Sequence, residues 1–359
     1  MHGPMRIGVV LHPERDPDEA MAAIHEWAVR HGAEVVGLAG EVDRLGEMIR
    51  EVDPPDLLQC DLLVSLGGDG TMLRALRLSQ PAGVPVLGVN LGRLGFLAEI
   101  DVPDLPAALA DVDAGKYTLE TRVAVQADFA GTTTFAFNDV ALVRHPGHPV
   151  AAVEVRVQGE PFVRYAADAV VVATPTGSTA YSFSAGGPIV SPRAEGLLVI
   201  PVAPHSTFNR AVFLSAGEPV GLDLLSSSGR LAIEVDGNLA GQVEPGQAVE
   251  VALCARAGRV VRLGTTTFYQ RARRKLRLAD PVELDGVGQR VGPEQPEPGR
   301  TERDGLGQPA LAAQPEPGRA ELDGVGQPAG PEQQPGPDPT GHDGAGRRAR
   351  LDEVGAQEP

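Results

Sequence analysis

Residues 61–79 read DLLVSLGGDGTMLRALRLS, and in their midst one carboxylate, Asp69, stands among Gly67, Gly68 and Gly70. The apolar run before the turn has the composition of a strand, and the residues after it have the spacing of a helix beginning at Thr71. Strand, glycine turn and helix start leave backbone N–H groups free beside the positive end of a helix dipole, a natural site for phosphate. Gly67, Gly68, Gly70 and Thr71 are therefore the candidate phosphate-binding residues, and Arg74, one turn on, is placed to neutralise phosphate charge. A carboxylate here can accept a proton from an attacking hydroxyl, which makes Asp69 the candidate catalytic residue. The spacing is not that of a Walker A loop, which requires Gly-Lys-Ser/Thr. A plainer alternative makes Asp69 or Thr71 a helix cap. A cap accounts for one polar side chain and leaves the three glycines unexplained.

A second concentration of functional groups lies in DAVVVATPTGSTAYSFSAGGPIVSP, residues 168–192. An apolar strand again runs into hydroxyls and glycines, with Thr174, Thr176, Ser178, Thr179, Tyr181, Ser182 and Ser184 close together. A hydroxyl-rich loop by itself is ordinarily a solvated turn. Its length, the embedded Tyr181 and the following Gly-Gly-Pro favour ligand contact. The two His of RHPGHP (144–149) lack acidic or Cys partners and read as loop residues, as does His205 in APHS.

These groups need elements to position them. Through residue 116, short apolar runs (RIGVVL, AEVVGL, DLLVSL, VPVLGVN) alternate with helical patterns at 17–31, about 42–50, from Thr71 and from about Pro103. That alternation predicts a Rossmann-like α/β domain with a parallel sheet. Over 117–266 the runs become short, β-type and separated by turn residues, EPFVRYAADAVVVATP among them, which predicts a largely antiparallel, β-sandwich-like domain. TFYQRARRKLRL then reads as an amphipathic helix within 267–280 that packs back on the first domain, its Arg/Lys cluster a solvated face. Residues 281–359 repeat DGVGQ or DGLGQ at 285, 304 and 323 and are rich in Pro, Gly, Gln and Glu. Such a composition buries too little apolar area to offset ordering entropy, so this tail is expected to be disordered. Its removal should leave turnover and melting temperature nearly unchanged; a large fall in either would show that it docks.

Composition narrows the function. A formal charge of −17 disfavours binding to nucleic acid or to an anionic membrane. Two cysteines, Cys60 and Cys254, cannot build a disulfide framework and suit a reducing cytoplasm as core residues. No apolar run approaches the ~20 residues needed to span a bilayer, and the N-terminus lacks a signal-peptide pattern.

Taken in order, GGDGT, NLGRLGFLAEI (90–100), FNDV (137–140), TPTGSTAYSFSAGGPIVSP (174–192), APHS (203–206) and DGN (236–238) resemble the motif series of NAD kinases. The series covers most of 5–278. Phosphofructokinases and diacylglycerol and sphingosine kinases carry turns like GGDGT; the Thr-Pro-Thr-Gly-Ser-Thr-Ala-Tyr string is far more specific. The resemblance implies phosphorylation of the 2′-hydroxyl on the adenosine ribose of NAD by ATP, with some members accepting polyphosphate or NADH. It implies that Asp69 accepts the proton and, with Gly70 and Arg74, meets the substrates. Asn138 and Asp139 match contacts to adenine and ribose hydroxyls, while Thr179, Ala180 and Tyr181 match the adenosine pocket, with Ser182 and Ser184 nearby. Asp168 matches a carboxylate at the nicotinamide end, often presented across a subunit interface, so a homo-oligomer (dimer or tetramer) is expected. Asn238 matches the last contact. The implied cofactor is a divalent ion, Mg²⁺, arriving with ATP rather than held by a protein metal site.

The departures gather on the NAD side. Asp139 stands where the family has Glu, Asn238 where Gln is common, and Asp168 is flanked by Ala166, Ala167 and Ala169 without the familiar Arg two residues before it. They predict a loosely held Asp168 and weaker NAD binding. Two rival functions follow: a lipid or sugar kinase sharing the glycine turn, and a silent paralogue that binds dinucleotide as a sensor.

Overall fold

The computed structural model describes residues 5–92, 95–264 and 266–278. The repeat-bearing 281–359 lies outside the described residues. The first half runs β1 (Arg6–Leu11), α1 (Asp18–His31), β2 (Glu34–Leu38), β3 (Arg50–Val52), α2 (Pro54–Leu57), β4 (Leu62–Gly67), α3 (Asp69–Ser79), β5 (Pro85–Asn90), β6 (Ile100–Asp101) and α4 (Leu105–Asp113). Its strands pair in parallel in the order β3-β2-β1-β4-β5, with β6 beside β5. β4 is buried at every position, as a central parallel strand covered on both faces must be. The order reverses between β1 and β4, and ligands of open α/β sheets bind beyond the carboxyl ends of strands at such a switch point. The glycine turn after β4 stands there.

Two expected boundaries shift. The helix foreseen near 42–50 is a short 3₁₀ stretch, Asp43–Met48, broken at Gly46 (φ 58°), a left-handed conformation that glycine adopts readily and a helix does not. β3 follows it. α3 begins at Asp69, two residues earlier than expected, because Gly68 takes the extended N-cap position.

The second half comprises β7 (Thr118–Phe129), β8 (Thr132–Ala136), β9 (Asp139–Arg144), β10 (Ala151–Val157), β11 (Glu160–Ala167), β12 (Ala169–Ala173), α5 (Tyr181–Ser184), β13 (Gly196–Val202), β14 (Val212–Ser215), β15 (Val220–Leu224), β16 (Leu231–Val235), β17 (Asn238–Val243), β18 (Ala248–Arg262) and α6 (Phe268–Leu276). An antiparallel sheet ordered β14-β13-β12-β9-β16-β17 faces a second layer containing β7, β10, β11, β15 and β18. Tyr165, Val170, Leu222, Ile233 and Val249 fill the core between them. The run 160–175, read as one strand, is cut at Asp168 into β11 and β12, which belong to different sheets. β18 pairs antiparallel with β15 and β7, then runs parallel to β5 at Arg259 and Val260. One strand thus carries the sheet of the second half into that of the first.

Candidate active site

Asp69 is the first helical residue of α3, and the N-cap, Gly68, makes no side-chain capping bond. The Asp69 carboxylate turns away from its own helix. It accepts the N–H groups of Phe96 and Leu97, each at 3.0 Å, and pairs with Lys275 Nζ at 2.9 Å. The capping alternative therefore fails. A Cβ at Gly95 would overlap this carboxylate and one at Gly67 would overlap the Thr71 side chain, so both glycines are steric necessities. At Gly68 and Gly70 a Cβ would meet nothing within 4 Å. The space above the turn is open to a ligand.

The peptide groups that grip Asp69 are themselves gripped. Arg271 Nε donates to the Phe96 carbonyl at 3.0 Å and an Arg262 terminal nitrogen to the Leu97 carbonyl at 2.7 Å. Behind them Glu120 accepts from Arg262 at 2.7 Å and Arg122 at 3.0 Å. Burial pushes the Glu120 carboxyl up, but Arg122 and Arg262 outweigh it and hold it below the ordinary carboxylate value. Burial also lowers Arg122, to about 10. The expected solvated face of the last helix is thus corrected, since Arg271 is 2% exposed and Lys275 reaches the site. Phe268, Arg271 and Lys275 recur at i, i+3 and i+7, so they share the helix face that meets Phe96. That spacing was visible in the sequence; its partner was not.

Asp69, Gly70, Asn138, Thr179, Ala180 and Lys275, with Thr176 and the Phe96–Leu97 loop, line one cavity of ≈ 230 Å³. Asn138 and Thr179 meet in it because the loop after β12 is clamped to the turn before β9. The Thr174 hydroxyl donates to the Phe137 carbonyl at 2.6 Å, and Thr174 N–H to the Asn138 carbonyl at 2.8 Å. Gly177 presses on the Asn138 backbone where no side chain would fit. Two expected site hydroxyls do not line this cavity. Ser182 is fully buried and donates to the Gly177 carbonyl at 3.0 Å, while Ser184 is exposed and turned back to the Ala180 carbonyl. Both shape the loop rather than line the cavity.

Sequence reasoning gave Asp236 no role, yet it organises the Asn138–Asp139 turn. Its side chain is fully buried and accepts N–H groups from Phe137 at 3.2 Å, Asn138 at 2.7 Å and Asp139 at 3.3 Å, and it pairs with Arg77. The Asp139 carboxyl lies 4% exposed beside it. Burial, then the nearby Asp236 and Glu234 charges, push it up to about 7, against a smaller opposing bond from the Tyr181 backbone. A carboxyl raised on folding contributes stability that is fully present below its unfolded value near 4 and is lost as pH rises through about 7. Asp139→Asn should remove that dependence. Measured by thermal denaturation from pH 4 to 8, the variant gains on wild type by roughly 2–4 kcal/mol across the range. A constant difference would show that Asp139 titrates normally.

Besides Asp139 and Tyr181, which do not line this cavity, Asp168, Arg74 and Asn238 lie off it. Asp168 is half-exposed and bound by Arg144, Nε to carboxylate at 2.6 Å, with Arg144 N–H on the Asp168 carbonyl at 3.0 Å. The expectation of a loosely held Asp168 is therefore corrected: β9 supplies the arginine missing from β11, whose Arg164 pairs with Glu154 instead. Arg74 pairs with Glu41 and donates to the Leu11 carbonyl at 3.3 Å, lining a separate hollow of ≈ 360 Å³ with His12 and Gly40. Asn238 is exposed, its amide donating to the Asp236 carbonyl at 3.2 Å.

A carboxylate at the switch point of a parallel sheet, beside an open glycine turn and a hydroxyl-lined cavity, defines a nucleotide-handling phosphotransferase. The ATP-NAD kinase N-terminal domain family matches residues 15–117 and the ATP-NAD kinase C-terminal domain family matches 137–263. NAD kinase 1 of Streptomyces coelicolor is 37% identical over 319 residues, 77% of this chain and 86% of that protein. The NAD kinase of Heliobacterium modesticaldum is 38% identical over 278 residues, 75% of this chain and 98% of that one. Among solved structures, an NAD kinase from Archaeoglobus fulgidus in complex with ATP superposes with a TM-score of 0.61 at 25% identity, covering 77% of this chain and 100% of that chain. The yeast NADH kinase complexed with NADH shares the fold, with a TM-score of 0.68 at 24% identity over 82% of this chain and 91% of that one. The chain belongs to the NAD kinase family, phosphotransferases that act on NAD.

Proposed function

We propose that this chain transfers the γ-phosphoryl group of ATP to the 2′-hydroxyl on the adenosine ribose of NAD, with Asp69 accepting the hydroxyl proton. The observation that carries this reading is the Asp69 carboxylate, excluded from capping and held at the wall of the cavity that also receives Asn138, Thr179 and Ala180. In this reading the open turn at Gly68 and Gly70 admits the donor phosphates, with Gly67 and Thr71 shaping it. Asn138 and Asp139 meet the adenosine, Thr179, Ala180 and Tyr181 line its pocket, and Asp168 and Asn238 meet the far end of the dinucleotide. The ATP complex of the Archaeoglobus fulgidus relative supports ATP as donor.

The divalent ion enters as part of the nucleotide substrate, where it would screen the charge of the donor phosphates. Among the described residues no group of three His, Cys, Asp or Glu side chains is disposed to hold a resident ion. The reading extends to a cytoplasmic homo-oligomer in which Asp168 sits near a subunit boundary. No described helix is long and apolar enough to cross a membrane.

Purified protein given NAD, ATP and Mg²⁺ should form NADP and ADP in equal amounts. Dinucleotide binding without NADP formation would instead establish a sensor. Light scattering of the same sample reads the assembly, for which a dimer or tetramer is expected.

A further inference from the structure

Lys275 has no place in the roles above, yet it touches the one residue on which they turn. Its ammonium stands 2.9 Å from Asp69 Oδ2 and 4.3 Å from the centre of the Phe96 ring, and it lines the same cavity as Gly70, Thr176 and Thr179. The helix that carries it is fixed. Thr267 and Gln270 form a reciprocal capping box, and buried Arg271 binds the Phe96 and Thr266 carbonyls at 3.0 and 2.7 Å. The side chain is 35% exposed, with four methylenes between backbone and charge that leave the ammonium room to turn. A rigid base and a flexible cationic arm, ending between a carboxylate and an open glycine turn, present a charge to the cavity.

We propose that Lys275 is a second catalytic residue of the transfer, a cation that pairs with Asp69 before the reaction and with the moving phosphoryl group during it. The proposal rests on Asp69 as the proton acceptor. As the ribose 2′-oxygen bonds to the γ-phosphorus, its proton passes to Asp69. The bond between that phosphorus and the β–γ bridging oxygen breaks, and its electron pair leaves with ADP. Protonation cancels the charge that held the ammonium, just when negative charge spreads over the transferring group. Lys275 then turns to the anion beside it, stabilising charge that exists only in the transition state. The Phe96 face gives the ammonium a favourable station along the way.

The test uses the full chain, with kcat and KM for NAD and for ATP measured in Lys275→Met and Lys275→Arg, and melting temperature as the control on folding. Lys275→Met should lower kcat by tenfold or more at a KM for NAD within about threefold of wild type, and Lys275→Arg should recover part of the loss because it keeps the charge. A kcat loss below tenfold, a loss carried by KM for NAD, or an arginine variant as slow as the methionine one overturns the proposal. A rise in kcat does so too, and would make Lys275 an inhibitory plug. Asp69→Asn measured alongside separates the two readings. Near-wild-type turnover there removes the proton acceptor itself, whereas an inactive Asp69→Asn beside an active Lys275→Met removes only Lys275.

Discussion

Asp69→Asn should lower kcat by roughly 10²–10⁴-fold, the range that loss of a positioned general base removes. The amide keeps the volume and planarity of the carboxylate, and its oxygen can still accept one of the two N–H groups from Phe96 and Leu97. It cannot accept the proton of an attacking hydroxyl, and its NH₂ cannot pair with Lys275. The affinity for NAD should change less than the turnover, because an interaction made in the transition state appears in kcat rather than in KM. Steady-state kinetics with NAD varied at saturating ATP makes the comparison. Turnover near wild type would remove Asp69 from the chemistry and leave it as a fastener of the 95–97 loop.

The second large effect is on stability. Asp236→Ala should destabilise the protein by roughly 3–5 kcal/mol, the usual consequence of removing one partner from a buried ion pair. The carboxylate satisfies three backbone N–H groups and Arg77, and its side chain is fully buried. Its loss leaves those donors without an acceptor where water does not reach. For a body of this size the change corresponds to a fall in melting temperature of roughly 6–20 °C. The KM for NAD should rise with it, since the turn carrying Asn138 loses its anchor. A melting temperature within 2–3 °C of wild type would mean that the turn is held by its clamp to Thr174 and Gly177 alone. Asp139→Asn, one strand away, should act in the opposite sense above neutral pH, where its carboxylate crowds Asp236.

Local chemistry was legible in the sequence wherever one segment carried its own reason. The glycine turn after an apolar strand, the alternation of strand and helix through residue 116 and the hydroxyl-rich loop after residue 173 all stand where their composition placed them. These features depend on φ/ψ preferences and periodicity, which act over a few residues. The long motif string placed the chain in its family for the same reason, since its letters lie within one contiguous segment.

What the sequence could not determine was which side chains would share an atom-scale environment after folding. Arg144 and Asp168 meet because β9 and β12 are adjacent, a pairing that no spacing encodes. Asp236 and the 137–139 turn are about 100 residues apart, and Lys275 and Asp69 more than 200. The side-chain directions within the hydroxyl-rich loop have the same origin. Ser182 and Ser184 carry the right functional groups, yet the loop consumes one and faces the other to solvent. Periodicity marks a face as polar or apolar, but only tertiary contact decides whether a charge on that face meets water alone or a carboxylate from another element, and the strength of the interaction depends on that surrounding.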